Sequence, residues 1–142
     1  MVKPTLAEYL DGLTRRKWKW GETDCLMILA DWVRLNHGVD PAAAYRGRYH
    51  SEDEYRALLK EGGGIVPTVD RALAEIGIAR TDDPKPGDIG IIRAPTMIWR
   101  GRAHLGRLGA IYIERKQWAH IMNGNLAIAS EKFVRPVAAW AV

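Results

Sequence analysis

The spacing of apolar residues changes once along the chain, at Gly77, and this change limits the folds open to the sequence. Before Gly77, apolar residues recur every three or four positions, which predicts amphipathic helices. After it, short apolar runs rich in strand-favouring residues alternate with turns, which predicts β-strands. Helices followed by strands, rather than alternating with them, indicate an α+β fold in which N-terminal helices pack on a small antiparallel sheet.

Capping signals mark where the predicted helices begin and end. Thr5 and Ser51 each precede a glutamate by three residues, a capping-box pattern that starts a helix. The glycines at 62–64 stop the second of these helices. We also expect a helix that starts at Asp24 and a short capped helix over residues 40–45.

Strand signals fill the second half of the chain. The predicted strands span residues 89–93, 108–113, 118–122 and 125–129, with 133–134 and 137–140 as shorter candidates. Asn123-Gly124 is the strongest short signal for a hairpin, and the residues around 99–102 are expected to be a loop. A length of 142 residues suits one domain, so we expect a single domain over residues 1–142.

Composition excludes several classes of protein. One cysteine cannot form an internal disulfide or supply a zinc site of several thiolates. No pair of His, Asp or Glu has a common metal-binding spacing, so we expect no metal and no cofactor. No apolar run approaches the roughly 18 residues of a membrane span. The net charge of +4 and the pI near 9.4 modestly favour acidic partners.

The basic residues form one dense cluster, Arg-Arg-Lys-Trp-Lys-Trp at residues 15–20. Alternating cations and tryptophans can bind nucleic acid by stacking and phosphate contact. No zinc-finger spacing, RNA-binding aromatic signature or long basic helix accompanies the cluster. A connecting segment whose tryptophans turn inward is therefore favoured, and nucleic acid is not expected as a partner.

The lone cysteine, Cys25, follows a good N-cap residue, Asp24, and so falls in the first turn of a predicted helix. Free backbone N–H groups and the positive end of the helix dipole favour a thiolate there. A cysteine nucleophile needs this position, but cysteine is also a common buried hydrophobe. Position alone leaves both interpretations open.

Three segments of the chain follow one another in an order that a known family shares. Residues 18–25 read Trp-Lys-Trp-Gly-Glu-Thr-Asp-Cys, residues 86–89 Pro-Gly-Asp-Ile, and residues 108–113 Leu-Gly-Ala-Ile-Tyr-Ile. Together they resemble NlpC-type cell-wall peptidases of the papain-like superfamily. The resemblance implies a papain-like, NlpC-like fold, with Cys25 as the nucleophile and Asp24 beside it as a supporting residue near the oxyanion site.

The resemblance departs from the family at the general base. Active members open the last of these segments with a histidine, and that position here is Leu108, which cannot accept a proton. The family position that orients the histidine falls on His120. A shifted alignment, with a strand that starts four residues earlier, would make His104 the base. Cys25, His120 and His104 are therefore the candidate catalytic residues, and a degenerate site is favoured over an active one.

A second resemblance covers nearly the whole chain. Its motifs are Trp-Gly-x-x-Asp-Cys at 20–25, Ala-Asp-Trp-Val at 30–33, Gly-Val-Asp-Pro-Ala at 38–42, Arg-Gly-Arg-Tyr at 46–49, Gly-Asp at 87–88 and Ala-Trp at 139–140. Small NlpC-like proteins encoded among phage tail genes are similar in all of these. The resemblance implies a tail-tip or tail-assembly component of the virion, made in the host cytoplasm, with other tail proteins and peptidoglycan as partners. The alternative is an active tail-borne peptidase or amidase in which Cys25 cleaves peptidoglycan stem peptides.

Overall fold

A computed structural model describes residues 2–122 and 124–142. In that part of the chain, four helices precede five strands, which confirms the α+β prediction. The helices are α1 (Leu6–Leu13), α2 (Met27–His37), α3 (Glu52–Glu61) and α4 (Ile65–Ala74). The strands are β1 (Ile89–Trp99), β2 (Arg102–Glu114), β3 (Gln117–Met122), β4 (Asn125–Ser130) and β5 (Arg135–Trp140).

The predicted caps form at α1 and α3. Thr5 accepts a hydrogen bond from the Glu8 N–H while the Glu8 carboxylate accepts one from the Thr5 N–H, which completes a capping box. At α3 the Ser51 hydroxyl accepts a hydrogen bond from the Glu54 N–H, which forms one half of the predicted capping box. The helix α3 ends at Glu61, directly before the three glycines.

The predicted helix over residues 40–45 was wrong, because these residues form turns instead. Asp40 does accept a hydrogen bond from the Ala42 N–H, as a helix cap would. Its carboxylate is also held by the Arg46 guanidinium, which binds Asp31 of α2 as well. Arg46 therefore fastens this segment to α2 as a turn.

The five strands form one antiparallel sheet in the order β4-β3-β2-β1-β5. The predicted hairpin between β3 and β4 is confirmed by pairing from Gln117↔Ser130 to Met122↔Asn125. Asn123, half of the turn signal, lies outside the described residues. The strand candidate at 133–134 was wrong, since Phe133 lies in a turn, Val134 follows it outside any strand, and β5 begins at Arg135.

The hairpin of β1 and β2 is longer than predicted. These strands run for 11 and 13 residues and turn at Arg100-Gly101, so the expected loop shrinks to this turn. β5 pairs with β1 only as far as Arg93, and in the described chain the pairing of β3 with β2 begins at Ile111. Residues 94–106 therefore form a two-stranded arm that extends beyond the rest of the sheet.

Apolar side chains fill both faces of the sheet. The first cluster joins the helices to one face and includes Trp32, Val33, Ile91, Ile111 and Trp140. The second consists of side chains of the other face, among them Ile92, Leu108, Ala110 and Trp118, together with Cys25. Trp118 and Trp140 are fully buried in these clusters. None of the described helices has the length and apolar character to cross a membrane.

Candidate cysteine site

Asp24 and Cys25 lie in the turn that leads into α2, just before the first residue of the helix, Met27. The prediction that Cys25 lies inside the helix was therefore displaced by two residues. The backbone here is already helix-like, because the Asp24 carbonyl accepts a hydrogen bond from the Ile28 N–H at 3.1 Å. Cys25 thus occupies the entrance to α2 rather than its first turn.

The Asp24 carboxylate is fully buried and accepts four hydrogen bonds. Oδ1 accepts from the backbone N–H groups of Leu26 and Met27, at 3.0 and 3.1 Å. Oδ2 accepts from the Gly21 N–H at 2.8 Å and the Tyr49 hydroxyl at 2.6 Å. A buried carboxylate is tolerated when its lone pairs are satisfied in this way. Asp24 therefore ties the turn before it and the 45–49 segment to the start of α2, and accepts from two backbone N–H groups that follow Cys25.

The Cys25 thiol is also buried, with 6% of the residue exposed. Its Sγ lies 3.8 Å from the Tyr55 hydroxyl, which comes from α3. Burial raises the pKa of the thiol to about 11, although a hydrogen bond from the backbone of Gly109 opposes the rise. The group is thus a protonated thiol at neutral pH.

The strand β2 passes very close to Cys25 at Gly109. A side chain at this position would place its Cβ 2.6 Å from the Cys25 carbonyl oxygen and 2.7 Å from a methyl group of Leu29. Real Cβ atoms do not approach other atoms so closely, so the contact requires glycine. The helix entrance therefore packs directly on the backbone of the second strand.

Aromatic rings surround the thiol on the side of α3. Tyr55 packs against Trp20 at 5.1 Å between ring centroids and against Tyr49 at 5.5 Å. Trp20 in turn meets the edge of Trp18 at 5.2 Å. The thiol therefore faces a packed aromatic cluster, formed by Trp18, Trp20, Tyr49 and Tyr55, instead of an open cleft.

No hydrogen bond joins a candidate histidine to the thiol in the described residues. His120 is buried on β3, where it pairs with Ala127 of β4, and its Nδ1 has no hydrogen-bond partner there. Burial lowers the pKa of His120. His104 lies exposed on the arm, although β2 does begin early enough for the shifted alignment. Leu108 is buried in β2.

Sequence reasoning did not identify the residues that contact Cys25 and Asp24 most closely. Tyr55 is 30 positions from Cys25 and Tyr49 is 25 positions from Asp24, so no local spacing connects them. Tyr49 does end the Arg-Gly-Arg-Tyr motif, and Gly109 lies in the Leu-Gly-Ala-Ile-Tyr-Ile segment. Both motifs therefore contain residues of the site, but neither motif indicates which residues these side chains and backbone groups contact.

The basic cluster at residues 15–20 is largely neutralised by ion pairs. Arg15 pairs with Asp11 at 3.0 Å, Arg16 with Asp31 at 2.7 Å, and Lys19 with Glu22 at 3.2 Å. Its two tryptophans are half-buried in the aromatic cluster. This arrangement favours the connecting-segment interpretation over nucleic-acid binding. Across residues 2–122 and 124–142, no three His, Cys, Asp or Glu side chains meet as metal ligands would.

A family described as a domain of unknown function, DUF6950, matches residues 2–142, and so includes the Asp24-Cys25 turn, Gly109 and both halves of the fold. No curated protein and no solved structure matches the chain significantly. The family match extends over nearly every position in the chain. The chain therefore belongs to the DUF6950 family.

Proposed function

We propose that the chain is a phage tail-tip or tail-assembly component, built on an NlpC-like, papain-like fold, whose cysteine site serves structure rather than hydrolysis. One observation carries the proposal about the site: Cys25 Sγ is buried against the Tyr55 hydroxyl, where a peptidase would need an imidazole. The tail assignment depends on the motifs shared with small proteins encoded among tail genes. The two parts are tested separately.

The layout of the chain supports the papain-like part of the proposal. Helices come first, the cysteine lies at a helix entrance, and this entrance packs on the second strand at Gly109. The position where the family carries its base, Leu108, is adjacent in sequence to that contact. This placement of the elements is the support that the fold gives to the proposal.

The chemistry of the thiol supports the structural role. With a pKa of about 11, about one thiol in ten thousand is ionised at pH 7. An active dyad reverses this balance, because a neighbouring imidazolium stabilises the thiolate. Leu108 cannot supply such a charge, and the N–H groups of Leu26 and Met27 already bind Asp24. We therefore expect a site that holds the helix entrance together and does not attack a carbonyl.

Thiol alkylation across pH tests the state of Cys25. Iodoacetamide should react slowly with the folded protein at neutral pH and rapidly after unfolding in urea, because burial protects the thiol and disfavours the thiolate. The unfolded protein serves as the control, since it carries the same single cysteine. Rapid alkylation of the folded protein well below pH 8 would show a stabilised thiolate and refute the structural role.

A wall-digestion assay tests for residual peptidase activity. Purified protein and the Cys25→Ala variant are incubated with peptidoglycan, and released stem peptides are measured by mass spectrometry. We expect no release from either protein. Release by the wild type that disappears in Cys25→Ala would establish the active enzyme and overturn the degenerate-site proposal.

The tail assignment is tested on the phage or prophage that encodes the chain. A tagged copy of the chain should co-purify with tail proteins, and mass spectrometry should detect it in purified particles or in tails captured before they join capsids. Deletion of its gene should reduce the yield of complete tails. Normal tails from the deletion strain, together with absence of the chain from particles and from tail intermediates, would refute the assignment.

A further inference from the structure

Three arginines form a row across neighbouring strands at the base of the arm. Arg107 of β2 lies directly opposite Arg93 of β1, which lies directly opposite Arg135 of β5. Directly paired residues project to the same face of a sheet, so the three cations share one face. All three are exposed, and none has a carboxylate within ion-pair distance in the described chain.

The row is not explained by the stability of the fold. Like charges directly opposite one another in a sheet destabilise it. Four arginines elsewhere, Arg15, Arg16, Arg46 and Arg56, each bind a carboxylate of the same chain, whereas the three of the row lie opposite one another and bind none in the described chain. The three positive charges repel one another, so carboxylates of another molecule would bind there favourably.

The arm beside this row has a free edge on β2. On one side, residues 102–106 pair with β1, whereas in the described chain β3 pairs with β2 only from Ile111 onward. The backbone N–H and C=O groups on the other side of this stretch therefore have no neighbouring strand. Two further exposed side chains that bear or can acquire positive charge, Arg102 and His104, lie on the same stretch.

The opposite edge of the arm is less suited to pairing. Pro95 has no N–H to donate, and the register of β1 shifts between Pro95 and Met97, as at a β-bulge. Both features disrupt a ladder of hydrogen bonds on the β1 side. The β2 edge has neither, so it is the edge on which a strand could be added.

We propose that the free edge of β2, residues 102–108, docks an extended acidic segment of a partner protein. The segment adds to the sheet as a further strand, so its backbone hydrogen-bonds to the edge of β2. Its carboxylates bind Arg107 on one face and Arg102 on the other, because alternate residues of a strand project to opposite faces. Arg93 and Arg135, one and two strands farther from the edge, add to the positive potential on the Arg107 face. The proposal depends only on the row and the arm, and it stands whether or not the chain is a tail component.

Nucleic-acid binding and protection of the edge are two competing roles for the arginines, and each predicts a different behaviour. Phosphates of a nucleic acid would also bind the row, but they would not use the backbone groups of a strand edge. Charged residues also protect exposed edges from aggregation, in which case their removal would cause self-association without the loss of any partner. The free edge and the unpaired charge together favour an acidic protein strand, and the experiment separates all three roles.

The test measures the binding of defined probes to the full chain by fluorescence anisotropy. The main probe is a labelled peptide of about ten residues that carries Glu-Glu and Val-Val pairs in alternation, so that both faces of an extended strand are acidic. A second peptide has the same sequence with every internal backbone nitrogen methylated, which keeps the charge and removes the donors on both edges of the strand. The third probe is a single-stranded DNA of similar length.

We expect the unmethylated peptide to bind about tenfold more tightly than the methylated peptide or the DNA. Arg102→Gln/Arg107→Gln should weaken its binding by about tenfold or more. Arg15→Gln/Arg56→Gln, which removes the same charge next to α1 and on α3, should change binding by about twofold or less. Backbone amide signals of residues 102–108 should shift on binding in NMR spectra.

Four outcomes would overturn the proposal. The first is equal binding of the methylated and unmethylated peptides, and the second is tighter binding of the DNA. The third is unchanged peptide binding by Arg102→Gln/Arg107→Gln, with or without aggregation of that variant. The fourth is absence of peptide binding by the wild type at low salt, where charge attraction is strongest.

Discussion

Removal of the Asp24 carboxylate should be among the most damaging changes to this fold. Asp24→Ala leaves four donors without their acceptor: the N–H groups of Gly21, Leu26 and Met27, and the Tyr49 hydroxyl. A buried donor without a partner costs about 1–3 kcal/mol, and water that enters the vacated space recovers part of this. We therefore expect the free energy of unfolding to fall by about 4 kcal/mol, a large share of the roughly 5–15 kcal/mol typical of a domain.

Urea unfolding followed by tryptophan fluorescence measures this loss, since the chain has six tryptophans. Tyr49→Phe removes one donor and leaves three, so it should cost about 1.5 kcal/mol. The double variant should cost less than the two single variants added together, because in Asp24→Ala the Tyr49 hydroxyl has already lost its partner. Asp11→Ala, which removes an exposed carboxylate from an i,i+4 ion pair, is the matched control and should cost about 0.5 kcal/mol or less.

The reasoning would be refuted if Asp24→Ala cost no more than Asp11→Ala. Additive effects of Asp24→Ala and Tyr49→Phe would refute the narrower claim that these two groups depend on each other. The first result would mean that the helix entrance is held by packing alone. The position of Cys25 would then not depend on the carboxylate beside it.

Three further predictions concern other parts of the molecule. Gly109→Ala should lower the free energy of unfolding by about 1–3 kcal/mol in urea titrations, because its Cβ would strike the Cys25 carbonyl, whereas Gly12→Ala, with open space around it, should not be destabilising. Burial lowers the pKa of His120, so the folded state binds fewer protons than the unfolded state, and stability should fall as the pH drops below about 6.5. The slope of stability against pH is at most about 1.4 kcal/mol per pH unit for one proton. It should be smaller in His120→Gln and unchanged in His50→Gln, a control at an exposed site. An equal slope in the wild type and both variants would contradict the assignment to His120. Arg93→Thr should raise the free energy of unfolding by about 0.5 kcal/mol, because it removes the middle charge of the arginine row; a loss of stability would show that the row supports the fold after all.

The parts of the fold that local chemistry decides were predictable from the sequence. A cap such as Thr5 with Glu8 is settled within four residues, and the glycines after Glu61 stop a helix whatever surrounds it. The hairpin of β3 and β4 is a local decision of the same kind. The segment after Asp40 shows the limit of such local signals. Arg46 binds both Asp40 and the distant Asp31, and this helps to hold the segment as a turn.

The arm was missed for a different reason. Strand prediction depends on alternation between a buried and an exposed face, and residues 94–106 have no such alternation because most of the described side chains there are exposed. Their turn also uses Arg100 with a positive φ, where glycine is the usual signal. The sequence of neither strand shows clear strand character in this region. The arm forms because the two strands pair with each other.

The candidate site also has a part that the sequence predicts and a part that it does not. The helix entrance at Cys25 could be predicted because Asp24 is a good cap, and Leu108 already showed that the expected base was missing. The burial of the thiol could not be predicted, because it depends on where α3 places Tyr55. Contacts that span 30 residues arise from the packing of whole elements, and no motif encodes them.

The register of β1 has a mechanical consequence. The arm continues the line of β1, which is bonded to β5 from Ile89 to Arg93 and to β2 along its whole length. A pull on the tip of the arm would act parallel to the strands, so it would load the β1–β5 hydrogen bonds in shear. Bonds loaded in shear must break together, whereas bonds pulled from one end of a ladder open one after another. The arm is therefore attached in the geometry that best resists a pull along its length.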